Sequence, residues 1–226
     1  MTKATCTAKG PDLAEAGPSA MDEAAFRAAR RRTLMLRSAK VVCASGEYVC
    51  IVRDVCEIGT TLSFLHDVPP DDRMILALGN GLTYPVERVW SGKRQAGYRF
   101  GAQVIMDEFL HERAPFELRP IRLAILAPAY LIDGRERHAV QLLNVSTHGA
   151  LFESAHEHAL LRLFGFQISG MPQYLGQVCW REGHQHGLRF QHPLALQELA
   201  ELALALQPFG APRPGEHAPG EAARAA

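Results

Sequence analysis

The side chains with chemistry to offer fall at two levels of the chain. From Ala24 to Gly46 there are six cations (Arg27, Arg30, Arg31, Arg32, Arg37, Lys40) and no carboxylate. A guanidinium is a planar, permanently charged fork suited to phosphate oxygens, so this is an anion-seeking segment. Soon after it, Asp54-Val55-Cys56-Glu57-Ile58-Gly59 sets a carboxylate, a thiol and a glycine two and three residues apart. Asn144-Val145-Ser146-Thr147-His148-Gly149 repeats that pattern ninety residues on, with Arg119 and Arg122 ahead of it.

Other constellations are weaker. His184-x-His186 lies near Cys179 and His156-x-His158 near His148, but none completes a ligand set of recognised metal spacing. Ser146 and His148 stand two apart on an expected turn with no orienting acid implied, and the chain has no Walker loop or G-x-S-x-G. The expectation is a binding protein without metal or cofactor, not an enzyme.

The elements that position these residues repeat as well. At the same offset Trp90, Gly97, Arg99 and Phe100 recur as Trp180, Gly187, Arg189 and Phe190, and Arg32 and Leu36 as Arg122 and Leu126. Identities are few, but they fall at a turn glycine and at strand ends, which argues for two copies of one small domain. In copy one, β-rich runs at Leu36–Ala44, Tyr48–Asp54, Thr60–Leu65, Met74–Ala77, Leu82–Trp90 and Gly97–Val104 alternate with turn signals. Copy two follows with Ile121–Ile132, Arg137–Leu143, Ala150–Ser154, Leu163–Ile168, Tyr174–Trp180 and Gly187–Phe190. Its first hairpin turn is offset by about two residues from that of copy one, an expectation from turn residues alone. Helical patterns follow each set, at Ile105–Glu112 and Pro193–Gln207, and a short helix is expected at Met21–Arg31. Six short antiparallel strands hide their edges best by closing, so the fold class is mainly β, two tandem six-stranded antiparallel barrels, each followed by a helix.

The boundaries that follow are a disordered tail over 1–19, a first barrel with its arginine motif and linker helix over 20–112, a second barrel with its C-terminal helix over 113–207, and a second disordered tail over 208–226. Trp90, Trp180, Phe100 and Phe190 are expected in the cores, and Cys43, Cys50 and Cys179 to behave as small hydrophobes. Five cysteines without paired spacing suit a reducing, cytoplasmic setting. Lys and Arg number 24 against 24 Asp and Glu, so no overall field draws in nucleic acid. Nor does any apolar run approach the length of a membrane span.

Arg27-x-x-x-Arg31, then a strand hairpin, then Asp54-x-Cys56-x-x-Gly59, resembles the PilZ family of cyclic di-GMP receptors, whose signatures are Arg-x-x-x-Arg and [Asp/Asn]-x-Ser-x-x-Gly. Asn144-x-Ser146-x-x-Gly149 and the two Trp…Gly-x-x-Phe endings are similar to that family too. The resemblance implies a dinucleotide held by Arg27, Arg31, Arg32, Asp54, Cys56 and Gly59. A second site would use Arg119, Arg122, Asn144, Ser146 and Gly149. Arginine would meet phosphate or the guanine O6/N7 edge, Asp54 the guanine donors, and Gly59 would take a positive φ that brings backbone near the ligand. Asp54, Asn144, Gly59 and Gly149 could equally be ordinary turn residues. Copy one departs at Cys56, a weaker hydrogen bonder than serine. Copy two departs at Glu117 and Ile121, which stand where Arg27 and Arg31 do, so copy one is the expected principal site. The ligand signal would pass to a protein partner. The competing expectation is an adaptor of the same fold that no longer binds nucleotide.

Overall fold

The structure is a computed structural model, which describes residues 36–111 and 120–209. Arg27, Arg31, Arg32, Arg119, Glu117 and the helix expected at Met21–Arg31 lie outside the described residues. The described chain forms two closed antiparallel barrels. The first uses β1 (Arg37–Cys43), β2 (Gly46–Cys56), β3 (Gly59–Phe64), β4 (Arg73–Ala77), β5 (Thr83–Ser91) and β6 (Gln95–Phe100). The second uses β7 (Arg122–Asp133), β8 (Glu136–Ser146), β9 (Gly149–Glu153), β10 (Leu163–Ile168), β11 (Gln173–Glu182) and β12 (Gln185–Phe190). Helix α1 (Met106–His111) follows the first barrel and α2 (Leu196–Leu206) the second. Around each barrel the strands run in one circuit, 1-2-3-6-5-4 and its equivalent 7-8-9-12-11-10.

Strand alternation builds the cores. In β7, Leu123, Ile125, Ala127, Ala129 and Leu131 are buried while Arg122, Ala124, Leu126, Pro128 and Tyr130 face out, the period of a half-buried strand. Closing the sheet removes its edges and stacks these inward rows into one apolar interior per barrel. The helices seal the open ends. Phe109 of α1 packs with Tyr84 and Phe100, and Leu199 of α2, ninety residues on, is fully buried. Burial pushes the Cys43 thiol up to about 11 and the Cys50 thiol higher still, which keeps both protonated and inert.

The repeat extends to individual hydrogen bonds. Phe100 N–H donates to the Ile58 carbonyl, and Phe190 N–H to the His148 carbonyl, both at 2.9 Å. Val104 N–H reaches Glu57 O as Leu194 N–H reaches Thr147 O. The hairpin turns of the two copies do not slip by two residues, as turn residues alone suggested: β2 and β8 begin and end ninety residues apart. The last strand of copy one ends at Phe100 rather than Val104: Gly101 N–H donates to the Pro85 carbonyl and Val104 N–H to the Glu57 carbonyl of the β2–β3 turn.

The barrels meet through the start of β7 and the chain after α2. Lys40 Nζ donates to Glu47 Oε2 at 2.7 Å and to the Arg122 carbonyl at 2.9 Å. Glu47 Oε2 also accepts from Ala124 N–H. Gln207 spans the junction, its Oε1 accepting from Glu47 N–H and its Nε2 donating to the Ala124 carbonyl. Tyr48 Oη donates to Gln207 O, and the Phe209 ring packs on Tyr48 and His66. Phe209, two residues past Gln207, thus packs on the first barrel.

Candidate functional site

Two β-bulges make the site. In β8 the register with β9 shifts between Leu142 and Asn144, and in β11 the register with β12 shifts between Val178 and Trp180. A bulge inserts one residue and reverses which face the following side chain takes. Leu142 and Val178 are fully buried, so unbroken alternation would send Asn144 and Trp180 inward as well. Instead Asn144 is half-buried and the Trp180 side is turned outward, with Trp180 44% exposed. This corrects the expectation that Trp180 belongs to the core, and Cys179, the inserted residue, is exposed rather than a small core hydrophobe. Phe100 and Phe190 are core residues, as their spacing suggested. The first barrel carries the same bulges at Val52/Asp54 and Arg88/Trp90, and there Trp90 is half-buried.

Each indole lies across the glycine paired with it, Trp180 over Gly187 and Trp90 over Gly97; a Cβ at either glycine would overlap the ring. Gly149 is required for a different reason from the one its sequence suggested. Neither Gly59 nor Gly149 takes a positive φ; among the described glycines those are 46, 81, 134, 170 and 183. A Cβ on Gly149 would collide with the carbonyl oxygen of Leu188. The motif glycine there permits a close strand approach and does not supply a left-handed turn.

The motif serine organises the turn. Ser146 is buried, its Oγ donates to the Gly149 carbonyl at 3.2 Å and accepts from His148 N–H at 3.3 Å. In copy one Cys56 stands there, 8% exposed, and its thiol makes no hydrogen bond among the described residues. Thr60 Oγ1 instead braces the turn by donating to the Asp54 carbonyl at 2.7 Å.

The outer face of β7, β8, β9, β12 and β11 then forms a cleft of ≈ 380 Å³ around Arg122, Asn144, Ser146, Gly149, Trp180 and Arg189. Arg122 pairs across with Ser146, and Arg189 with Gly149 and Gln177. Four of the five second-site residues expected from sequence are thus brought together, and Arg119 lies outside the described residues. Arg189, Trp180 and His148 join them and were not expected there. The recurrence of Arg99 as Arg189 was the available signal for the first of these. No carboxylate lines the cleft among the described residues. Neither Arg122 nor Arg189 has a side-chain hydrogen bond or ion pair among them. The first barrel differs: Glu87, at the position of Gln177, accepts from Arg73 at 3.3 Å and Arg99 at 3.4 Å. Arg99 thus has a carboxylate partner in copy one, whereas its counterpart Arg189 has none among the described residues.

Each of the two closed six-stranded barrels bears the [Asp/Asn]-x-[Cys/Ser]-x-x-Gly turn and the Trp…Gly-x-x-Phe hairpin. No family model matches the chain, and no curated protein does. Solved structures similar to it include the Borreliella burgdorferi PlzA protein in complex with c-di-GMP, at 12% identity and a TM-score of 0.32, covering 79% of this chain and 94% of that one. The Bacillus subtilis inhibitor of motility (MotI/DgrA) is similar at 7% identity and a TM-score of 0.34, over 76% of this chain and 96% of that one. K. pneumonia MrkH is similar at 13% identity and a TM-score of 0.30, over 87% and 96% respectively. Among the described residues no helix is long and apolar enough to cross a membrane.

Proposed function

We propose that this chain is a non-enzymatic receptor for cyclic di-GMP, and that the cleft of the second barrel is a site for it. The observation that carries the reading is the pair of guanidiniums, Arg122 and Arg189, without partners among the described residues and set beside an exposed indole on the surface of the Asn144-x-Ser146-x-x-Gly149 turn. Phosphate favours the arginines, a guanine face favours the indole, and the Asn144 amide offers both a donor and an acceptor to a base edge. The missing Arg-x-x-x-Arg of copy two is offset by cations from β7 and β12. Arg27, Arg31 and Arg32, ahead of the first barrel, together with Asp54 belong to the same proposal as contacts of a first-barrel site. Occupancy would be relayed to a protein partner.

Isothermal titration with cyclic di-GMP, with cyclic di-AMP and GTP as controls, tests the reading. Binding of cyclic di-GMP alone supports it, and comparing the stoichiometry of the unsubstituted, Arg31→Ala and Arg189→Ala chains assigns each site. A second reading, a nucleotide-free adaptor, is favoured by the engagement of Arg99 by Glu87 and by Cys56, whose thiol has no hydrogen bond among the described residues. It expects no heat with any nucleotide and equal capture of the partner with and without ligand.

A further inference from the structure

The second barrel carries a cluster of imidazoles that the first lacks. His138 of β8, His156 and His158 of the β9–β10 connection, and His186 of β12 stand ninety residues beyond Tyr48, His66, Val68 and Ala96. Ring centroids lie 5.5 Å apart for His138–His156, 5.2 Å for His138–His158 and 5.2 Å for His158–His186. His158 is 5% exposed and His186 1%. His186 stacks on Phe152 and His158 meets Phe164 edge-on, so both rings are part of the barrel's interior packing.

The hydrogen bonds suit neutral rings. His186 Nδ1 lies 2.9 Å from the His184 carbonyl oxygen, which can only accept, so Nδ1 carries the hydrogen and Nε2 the lone pair. Nε2 is buried without a hydrogen-bond partner. A second proton there would be a buried N–H with no acceptor, beside another imidazole. His158 Nε2 is 2.8 Å from Ser154 Oγ, which already accepts from His156 N–H. The surrounding charges offer little relief. Asp133 of β7 is paired with Arg162, and Glu157 with Arg181 of β11. Glu136 of β8, 3.6 Å from His138 Nε2, is largely solvated. His184 turns its Nδ1 to the Ser154 carbonyl.

We propose that this cluster makes the second barrel a proton-responsive module. Neutral imidazoles keep its end closed, and proton uptake opens the β9–β10 connection and the β11–β12 hairpin at a higher pH than it opens the first barrel. Gly187 follows His186 and carries the Trp180 indole, so opening also dismantles the cleft. That consequence for a ligand rests on the reading above; the opening itself does not. Burial, reinforced by the His186, His138 and His156 rings, pushes His158 down to about 4, against roughly 6.5 in an unfolded chain. The unfolded state therefore binds more protons between those values. Stability is complete above the upper value and is lost progressively as pH falls toward the lower. The first barrel has His66 alone there, its Nε2 likewise buried without a partner and its ring lowered by burial among Tyr48, Phe64 and Phe209, so it has one such imidazole where the second barrel has a cluster.

The chain has two tryptophans, one in each barrel, which makes the test direct. Trp90→Phe leaves Trp180 to report the second barrel, and Trp180→Phe leaves Trp90 to report the first. Emission is followed from about pH 8 to 5, with chelator present, in urea just short of the unfolding midpoint. The Trp180 signal is expected to change with a midpoint at least about half a pH unit above that of Trp90. His158→Val with His186→Ala installs the first barrel's own residues and should remove the Trp180 transition while leaving the Trp90 profile unchanged. If that pair does not fold at high pH, His158→Val alone and the NMR titration of the ring protons in the unsubstituted chain carry the test. Coincident transitions of the two reporters, a Trp180 transition that survives His158→Val, or no transition in the range each overturn the proposal.

Discussion

Arg189→Ala is the sharpest perturbation of the proposed site, because the first barrel supplies its own control. Arg189 makes no ion pair among the described residues and faces the cleft from β12, so its loss breaks nothing else in the fold. A charge-assisted contact to phosphate is worth about 1.5–3 kcal/mol, and solvent at an exposed guanidinium favours the lower end. Since each 1.4 kcal/mol or so is tenfold in affinity, the expected loss is about tenfold, measured by titration calorimetry at matched salt. Arg99→Ala removes the equivalent guanidinium of copy one, which Glu87 already engages at 3.4 Å; affinity at the second-barrel site should stay within about twofold of its starting value. Gln177→Glu goes the other way. It transplants the carboxylate of Glu87 directly across from Arg189. The cross-strand pair, worth about 0.2–1 kcal/mol, and a like-charge penalty against phosphate of about 1 kcal/mol should together weaken binding several-fold. Second-site binding that is indifferent to both Arg189→Ala and Gln177→Glu, or lost only in Arg99→Ala, would refute the reasoning.

Trp180→Ala should weaken cyclic di-GMP binding by about 1–3 kcal/mol if a guanine stacks on the indole, while thermal unfolding shifts little because the ring is 44% exposed. A stability loss of about 3–5 kcal/mol, as for a core tryptophan, would contradict the surface assignment. Gly149→Ala drives a Cβ into the Leu188 carbonyl and should cost about 1–3 kcal/mol or more, read as a lowered Tm. An unchanged Tm would show that β9 and β12 are not so closely apposed. Ser146→Ala removes both hydroxyl bonds of the β8–β9 turn and should cost about 1 kcal/mol of stability and a further loss of affinity. Gln207→Ala removes the side-chain bonds to Glu47 and Ala124, at about 1 kcal/mol each; small-angle scattering should report a broader distribution of barrel separations, and an unchanged profile would mean the junction does not depend on them.

Much of the architecture was legible because it follows from local pattern. The apolar alternation of Leu123 to Leu131 and the ninety-residue recurrence of a turn glycine, a tryptophan and a Gly-x-x-Phe ending are properties of the chain itself. They imply repeated antiparallel strands whose edges closure removes. The anion-seeking arginines and the two motif turns were visible for the same reason, that residue type alone sets their chemistry. What the chain could not reveal depended on parity and on partners distant in sequence. A single inserted residue at Cys179 decides whether Trp180 faces the core or the cleft, and a bulge leaves no mark in residue type. Gly149 looks like any turn glycine until Leu188 is brought against it from β12. Arg99 and Arg189 are the same residue in the same motif. Only the cross-strand neighbour, Glu87 in one barrel and Gln177 in the other, gives one an ion pair and leaves the other without one among the described residues. Sequence thus determined the strands, the repeat and the kind of chemistry these groups offer. Tertiary structure decided which face the groups share, because the sign and reach of a side chain's interactions are fixed by what closing the sheet sets beside it.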